Sequence, residues 1–199
     1  MKATRMHLLR HGQVDGFEEK RYNGQSDVHL TAHGRQQSAA FAGRLQHLKL
    51  GGIYSSDLYR CRMAADQIAL LQKVQPVYKE ELRELHAGDW QGQTWKQLQR
   101  NYPELWQARI DDIVHVAPPA GESLLQLASR VRPAIKQIVS DHIGGEIVVV
   151  AHGGVNRVIL LDAIGAPLEK LFHIEQDFGC HNIIDFFADG YTVVQKLNG

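Results

Sequence analysis

Two apolar runs, Leu8-Leu9-Arg10-His11-Gly12 and Val149-Val150-Ala151-His152-Gly153-Gly154, each lead into a His-Gly pair. Each is followed by a segment able to turn into a helix. A buried strand of a parallel sheet reads as a continuous apolar run, and ligands of open α/β sheets bind beyond the carboxyl ends of the strands. The two runs therefore point to an α/β fold in which two histidines face one another across a single pocket. That placement suits chemistry on an anion, with one imidazole as nucleophile.

The chain has 199 residues, which fits one domain over 1–199. Its 22 Lys+Arg balance 22 Asp+Glu, so no overall field favours nucleic acid or a membrane surface, and substrate charge must be met by a local cluster. No stretch has the length and apolarity of a signal peptide or of a membrane span, so a cytoplasmic location is expected. Cys61 and Cys180 are too few and too distant for a disulfide framework or a CxxC site, and read as reduced thiols in or near the interior.

Periodicity sets out the elements. Arg5–Leu9 is a strand, Thr31 caps a helix carrying Ala39, Ala40, Phe41, Leu45 and Leu48, and Gly51-Gly52 closes it. Ile53–Ser55 is a second strand, and Ser56 or Asp57 starts a helix with Leu58, Cys61, Ala64, Ala65, Ile68 and Leu71 on one face. Pro76–Tyr78 is a brief strand, and Thr94–Ile113 is helical with an interruption at Pro103. Leu124–Ile143 is a long amphipathic helix in which Pro133 predicts a kink or break. Glu146–Ala151 is the most apolar strand, Val155–Ile164 a helix, and Asn182–Phe187 and Tyr191–Leu197 a hairpin turned by Asp189-Gly190. This order predicts a three-layer α/β/α sandwich whose sheet is mostly parallel with an antiparallel edge.

Several residues can carry chemistry. Arg10 supplies a permanently charged fork suited to phosphate oxygens, His11 an imidazole partly neutral near pH 7, and Gly12 room for a ligand at the backbone. Arg60 falls in the first turn of its helix, where N–H groups and the dipole favour anions. Arg62 points elsewhere and reads as a surface residue. The segment Leu82–Gly92 is polar, aromatic and glycine-bearing, as binding loops are. By composition alone Glu81, Glu84 and Asp89 are near-equal candidates for an acid that protonates a leaving group.

Five blocks occur together and in order: Arg10-His11-Gly12, Ser55…Leu58-x-Arg60, Leu82-x-Glu84…Gly88-x-Trp90-x-Gly92, Gly121-Glu122-Ser123 and Ala151-His152-Gly153-Gly154. In this the chain resembles the histidine phosphatase, or phosphoglycerate-mutase-like, superfamily over nearly its whole length. The resemblance implies that His11 is the nucleophile and carries the phosphoryl group. It implies that Arg10, Arg60 and His152 hold the equatorial oxygens, and that Glu84 serves first as acid and then as base. No metal or other cofactor is implied. Many relatives continue R-H-G-x-T-x-x-N, whereas Val14 and Phe17 stand at the Thr and Asn positions here. Asn23, Gly24, Gln25 or Gln13 are the candidates to supply the missing polar contacts, and Gly153 completes the expected binding set. Gln91 stands where relatives carry Glu.

Mutases and phosphatases of this superfamily share the pocket. Shortness and Ala151-His152-Gly153-Gly154-Val155, where mutases show His-Gly-Asn-Ser, favour hydrolysis of a small-molecule phosphoester. Leu85–Trp90 and Gln176–Cys180 resemble α-ribazole phosphatases, which implies α-ribazole 5′-phosphate and cobalamin biosynthesis. A broad-specificity small-molecule phosphatase is the alternative, followed by a phosphoglycerate mutase or a non-catalytic phosphate-binding module. A homodimer is left open. Trp90, Trp95, Trp106 and Tyr102 are expected to pack as core, the other reading being a stack on a heterocyclic leaving group, and Glu122 and Ser123 are expected to support the pocket.

Overall fold

Strand β1 (Thr4–Arg10) lies inside a six-stranded sheet, and its neighbour β4 (Glu146–Ala151) runs parallel to it with Arg10 opposite Ala151. The two His-Gly pairs therefore leave the sheet side by side. The computed structural model describes residues 2–199. Strands β2 (Gly52–Ser55) and β3 (Pro76–Tyr78) extend the parallel part beyond β4, and β5 (His181–Phe186) and β6 (Thr192–Lys196) add antiparallel strands on the other side. The order β3-β2-β4-β1-β5-β6 is the expected mostly parallel sheet with an antiparallel edge.

Alternate residues of the central strands feed two apolar cores, one on each face. Leu9, Val148 and Val150 pack with Phe41 and Leu45 of α1 (Ala32–Leu45) and with Cys61, Ala64 and Ile68 of α2 (Tyr59–Gln72). Met6, Leu8, Ile147 and Val149 face Leu127, Val131 and Ile135 and, from the following helix, Val155 and Val158. These belong to α5 (Leu124–Ser140) and α6 (Gly153–Ala163), which follow α3 (Trp95–Asn101) and α4 (Pro103–Asp111) in the chain. Fully burying each such side chain contributes roughly 1.5–3 kcal/mol relative to exposure.

Caps fall where side-chain chemistry predicts. Thr31 accepts from the Gly34 N–H, and Thr94 and Ser123 close capping boxes with Gln97 and Gln126. Pro103 opens α4 as its first residue. Three expectations shift. Helix α1 ends at Leu45, and Gly52 belongs to β2. Helix α2 begins at Tyr59, later than Ser56 or Asp57, because the Ser56 hydroxyl turns the chain by accepting from the Leu58 N–H. Helix α5 continues through Pro133, which sits on the exposed face where water can satisfy the carbonyl freed by the missing N–H.

Candidate active site

The carboxyl ends of β1, β2 and β4 deliver three polar residues to one place. His11 follows β1, Ser56 follows β2 and His152 follows β4, and all three are buried. The rings of His11 and His152 meet edge to face with centroids 5.1 Å apart. Gly12 lets this arrangement close, since a Cβ there would run into the Gly34 carbonyl at the start of α1.

His11 is oriented by its own turn. Its Nδ1 donates to the Gly12 carbonyl at 2.8 Å, which leaves Nε2 as the lone-pair nitrogen. Burial, reinforced by the charges of Arg60 and Arg10, holds the His11 pKa well below the ordinary imidazole value, so the ring is neutral at working pH. A neutral imidazole with one nitrogen tied and the other free, under the influence of the charges of Arg60 and Arg10, has the properties that a nucleophile for an anionic electrophile needs.

The arginines are held by different means. Arg10 donates through Nη1 to the Gln176 carbonyl and lies over the Phe178 ring, 3.9 Å from its centroid. Its Nε is buried without a partner among the described residues. Such an orphan donor in a cationic pocket is what an oxyanion would satisfy. Arg60, the second residue of α2, is 1% exposed and donates to the carbonyls of Ser26 (2.7 Å) and Gly24 (2.6 Å) and to Nδ1 of His152 (3.2 Å). Three of its five N–H groups are thereby used and two remain for a ligand. Arg62 is exposed, with its guanidinium over Tyr78, as a surface residue should be.

His152 is held from both sides. Its Nδ1 accepts from Arg60 Nε, so Nε2 is the protonated nitrogen and donates to Ser56 Oγ at 2.9 Å. Both nitrogens are engaged, and burial and the nearby Arg60 keep the ring neutral by pulling its pKa well below the usual value. His152 and Arg60 are thereby joined by one hydrogen bond at the site.

Among the three candidate carboxylates, geometry singles out Glu84. Its oxygens accept from the N–H groups of Leu85 (2.9 Å) and Gly154 (3.0 Å), the latter in the first turn of α6. A Cβ on Gly154 would meet that carboxylate and force it to move, so glycine there leaves the Glu84 oxygens in place. Glu81 is exposed, and the Asp89 main chain is tied away, to the Pro119 carbonyl.

The remaining candidates have supporting places. Gly24 contributes its carbonyl to Arg60 and adopts positive φ, where a Cβ would strike Gln91 and Ala87. The Asn23 carbonyl accepts from the Ser26 N–H and shapes that turn. Gly153 opens α6 beside Arg10, where a Cβ would rest in ordinary contact with the Arg10 guanidinium and 3.2 Å from Arg157 Nη1. Val14 is buried in a bridge to Leu30, and Phe17 is exposed on a short 3-10 turn, so neither stands in for a polar pocket residue. Gln13 belongs to the α1 cap, accepting from the Thr31 hydroxyl, whereas Gln25 donates to the Glu84 carbonyl at 3.2 Å. Trp90 is fully buried, and its ring packs with those of Tyr22, Tyr102 and Trp106, as core packing predicts; Trp95 and Tyr102 stay partly exposed. Ser123 caps α5, and Glu122 accepts from the His86 N–H.

Sequence reasoning missed Ser56 and Arg130 as site residues. Gln176 and Phe178 belonged to a segment noted only for its resemblance. Each acts through tertiary neighbours, and only the strand-end position of Ser56 was a signal. Cys61 and Cys180 are buried and unpaired, and Cys61 packs its sulfur on the His152 ring. Among the described residues, no group of three or more His, Cys, Asp or Glu is arranged to hold a metal ion, and no helix is long and apolar enough to cross a membrane.

This fold, with its paired strand-end histidines, agrees with the comparison to known proteins. The model of the histidine phosphatase superfamily (branch 1) matches residues 6–198, and the chain belongs to that family. It is 32% identical over 198 residues to a bifunctional protein of Mycobacterium tuberculosis, covering 98% of this chain and 54% of the relative. The chain thus spans about half the length of that relative. It is 36% identical over 179 residues to the glucosyl-3-phosphoglycerate phosphatase of M. tuberculosis, covering 86% of this chain and 78% of the relative. A solved native structure of the mycobacterial glucosyl-3-phosphoglycerate phosphatase superposes over 100% of both chains with TM-score 0.89 at 28% identity. An α-ribazole phosphatase from Shigella flexneri superposes with TM-score 0.90 at 26% identity, over 98% of this chain and 96% of that one.

Proposed function

We propose that the chain is a phosphomonoesterase that works through a phosphohistidine on a small-molecule phosphate. The observation that carries this reading is the Nδ1–H to Gly12 bond of His11, which leaves Nε2 free on a ring that feels the charge of Arg10, whose own Nε has no partner among the described residues. In the first step Nε2 attacks phosphorus while the bond to the leaving oxygen breaks and Glu84 passes its proton to that oxygen. In the second, Glu84 takes a proton from water as the water oxygen displaces His11, releasing phosphate and restoring neutral imidazole. Arg10 and Arg60 supply the positive charge that offsets the equatorial oxygens. His152, through its bond to Arg60 Nε, keeps that guanidinium aimed.

For the leaving group, likeness to an α-ribazole phosphatase supports α-ribazole 5′-phosphate and a place in cobalamin biosynthesis. Likeness to a glucosyl-3-phosphoglycerate phosphatase supports the alternative of a broader small-molecule phosphatase. A cytoplasmic location belongs to this proposal, supported by the two free thiols. The exposed edge strand β3, with Val77 and Tyr78 outward, supports a homodimer, which sedimentation velocity tests.

The deciding experiment is hydrolysis of p-nitrophenyl phosphate with chelator present, for the wild type and His11→Ala, followed by a phosphoester panel that includes α-ribazole 5′-phosphate, glucosyl-3-phosphoglycerate and phosphoserine. Activity lost in His11→Ala supports the proposal. A wild type inactive on the whole panel sinks it. Turnover of 3-phosphoglycerate primed with 2,3-bisphosphoglycerate would replace hydrolysis by mutase chemistry.

A further inference from the structure

Arg130, in the first half of α5, has no place in the chemistry above. Its guanidinium is gripped by Glu122, with Nε to Oε1 at 2.6 Å and Nη2 to Oε2 at 2.9 Å, a two-point fork that is mostly buried. Its other donors go to main chain. Nη1 donates to the Glu81 carbonyl at 2.7 Å, and Nη2 donates to the Glu84 carbonyl at 3.0 Å. Glu122 completes the arrangement, because Oε2 accepts from the His86 N–H at 2.9 Å and its own N–H donates to the His86 carbonyl at 2.8 Å.

One ion pair thus ties the main chain at residues 81, 84 and 86. The segment between the short 3-10 turns at Glu80–Leu82 and Gly88–Trp90 has no helix or strand of its own, so its polar groups need partners from elsewhere. A half-desolvated ion pair adds little stability by itself. What this pair does have is direction, since Nη2, already held by Glu122, also donates to the carbonyl of Glu84, the residue whose carboxylate faces α6, while Nη1 fixes the carbonyl of Glu81 just before it.

We propose that Arg130, locked by Glu122, is a positioning residue that sets where the Glu84 carboxyl meets the leaving oxygen. The proposal rests on Glu84 being the acid of the reaction. A displacement of about 1 Å in such a group costs on the order of 10²-fold in rate.

The test compares kcat/KM for p-nitrophenyl phosphate, whose leaving group needs little protonation, with kcat/KM for the best alkyl phosphate of the panel, whose leaving group needs it fully. This parameter covers steps only through phosphoryl transfer, so slow dephosphorylation does not mask the comparison. Arg130→Gln and Glu122→Gln are expected to lose about tenfold or more on the alkyl ester beyond any loss on the aryl ester, within the range assigned to general acid catalysis. Arg132→Gln, which removes a neighbouring α5 ion pair with Asp162, should leave the alkyl-to-aryl ratio unchanged. Equal losses on both esters, or none, overturn the proposal. Should Arg130→Gln fail to fold, Arg130→Lys decides by the same ratio, because lysine keeps the charge and lacks the fork. Glu84→Gln tests the underlying reading separately: if it shows no alkyl-selective loss, Glu84 is not the acid, whatever Arg130 does.

Discussion

His11 and His152 stand edge to face at 5.1 Å, yet only His11 keeps a ring nitrogen without a partner. The two strand ends look alike in sequence and divide the work in space. His11 presents a lone pair to the pocket, while His152 is spent on Ser56 and Arg60.

That division predicts unequal losses. His11→Ala should abolish formation of acid-labile phosphoenzyme, measured by trapping labelled phosphate after a quench. His152→Ala should leave slow phosphorylation, reduced by roughly 10²–10³-fold as when one charge-stabilising contact is lost. Label trapped at position 152 would reverse the assignment.

Arg60 should tolerate no replacement by lysine. Its three hydrogen bonds to Ser26, Gly24 and His152 use the guanidinium plane in three directions, which an ammonium cannot reproduce. Arg60→Lys is expected to lower kcat/KM by about 10²-fold or more and to weaken inhibition by inorganic phosphate or vanadate in parallel. Unchanged inhibition constants would show that Arg60 does not hold the anion.

Gly154→Ala should act as a local probe of the acid. The added methyl occupies the position of a Glu84 oxygen, while the rest of α6 is undisturbed. Loss of one aligned proton donor predicts a fall of roughly 10²-fold on alkyl phosphates, with a melting temperature within a few degrees of the wild type. Wild-type alkyl turnover would mean that the Glu84–Gly154 contact is dispensable.

Stability should fall with acid. Burial holds His7, His11, His152 and His181 below the ordinary imidazole range, His181 to about 3. Below about pH 6.5 the unfolded chain binds protons that the native state refuses, so unfolding takes up protons and stability drops as pH falls. Each such histidine contributes roughly 1.4 kcal/mol per pH unit. Asp185, kept below the usual carboxylate range by its bonds to Arg5, works in the same direction: its contribution is present above about pH 4 and lost below. Urea unfolding between about pH 7 and about pH 5 should show a loss of at least about 2 kcal/mol, and His181→Gln should flatten that slope. A profile independent of pH would contradict the buried neutral histidines.

Much of the molecule is legible along the chain because its causes are local. Helical spacing of Phe41 and Leu45, or of Leu127, Val131 and Ile135, needs only the sequence. So do the cap at Thr31 and the strand character of Val148–Val150, whereas Ser123, expected to support the pocket, caps α5. Ordered blocks around Arg10-His11, Arg60, Glu84 and His152 point to the family to which the chain belongs.

What neighbours do to one another is not local. Sequence left Glu84 level with Glu81 and Asp89 by composition, and the Gly154 N–H, 70 positions away, separates them in the structure. The bonds of His152 with Ser56 and Arg60 carried no signal along the chain, because they depend on β2, α2 and β4 meeting at one edge of the sheet. Arg130 carried no signal at all, because an arginine on an amphipathic helix reads as surface until the chain folds Glu122, Glu81 and Glu84 around it. Periodicity and short motifs determined the strands, the helices and the family by themselves. Only the tertiary structure decided which nitrogen is free, which carboxylate is aimed and what holds it, because hydrogen-bond direction arises between residues brought together by packing.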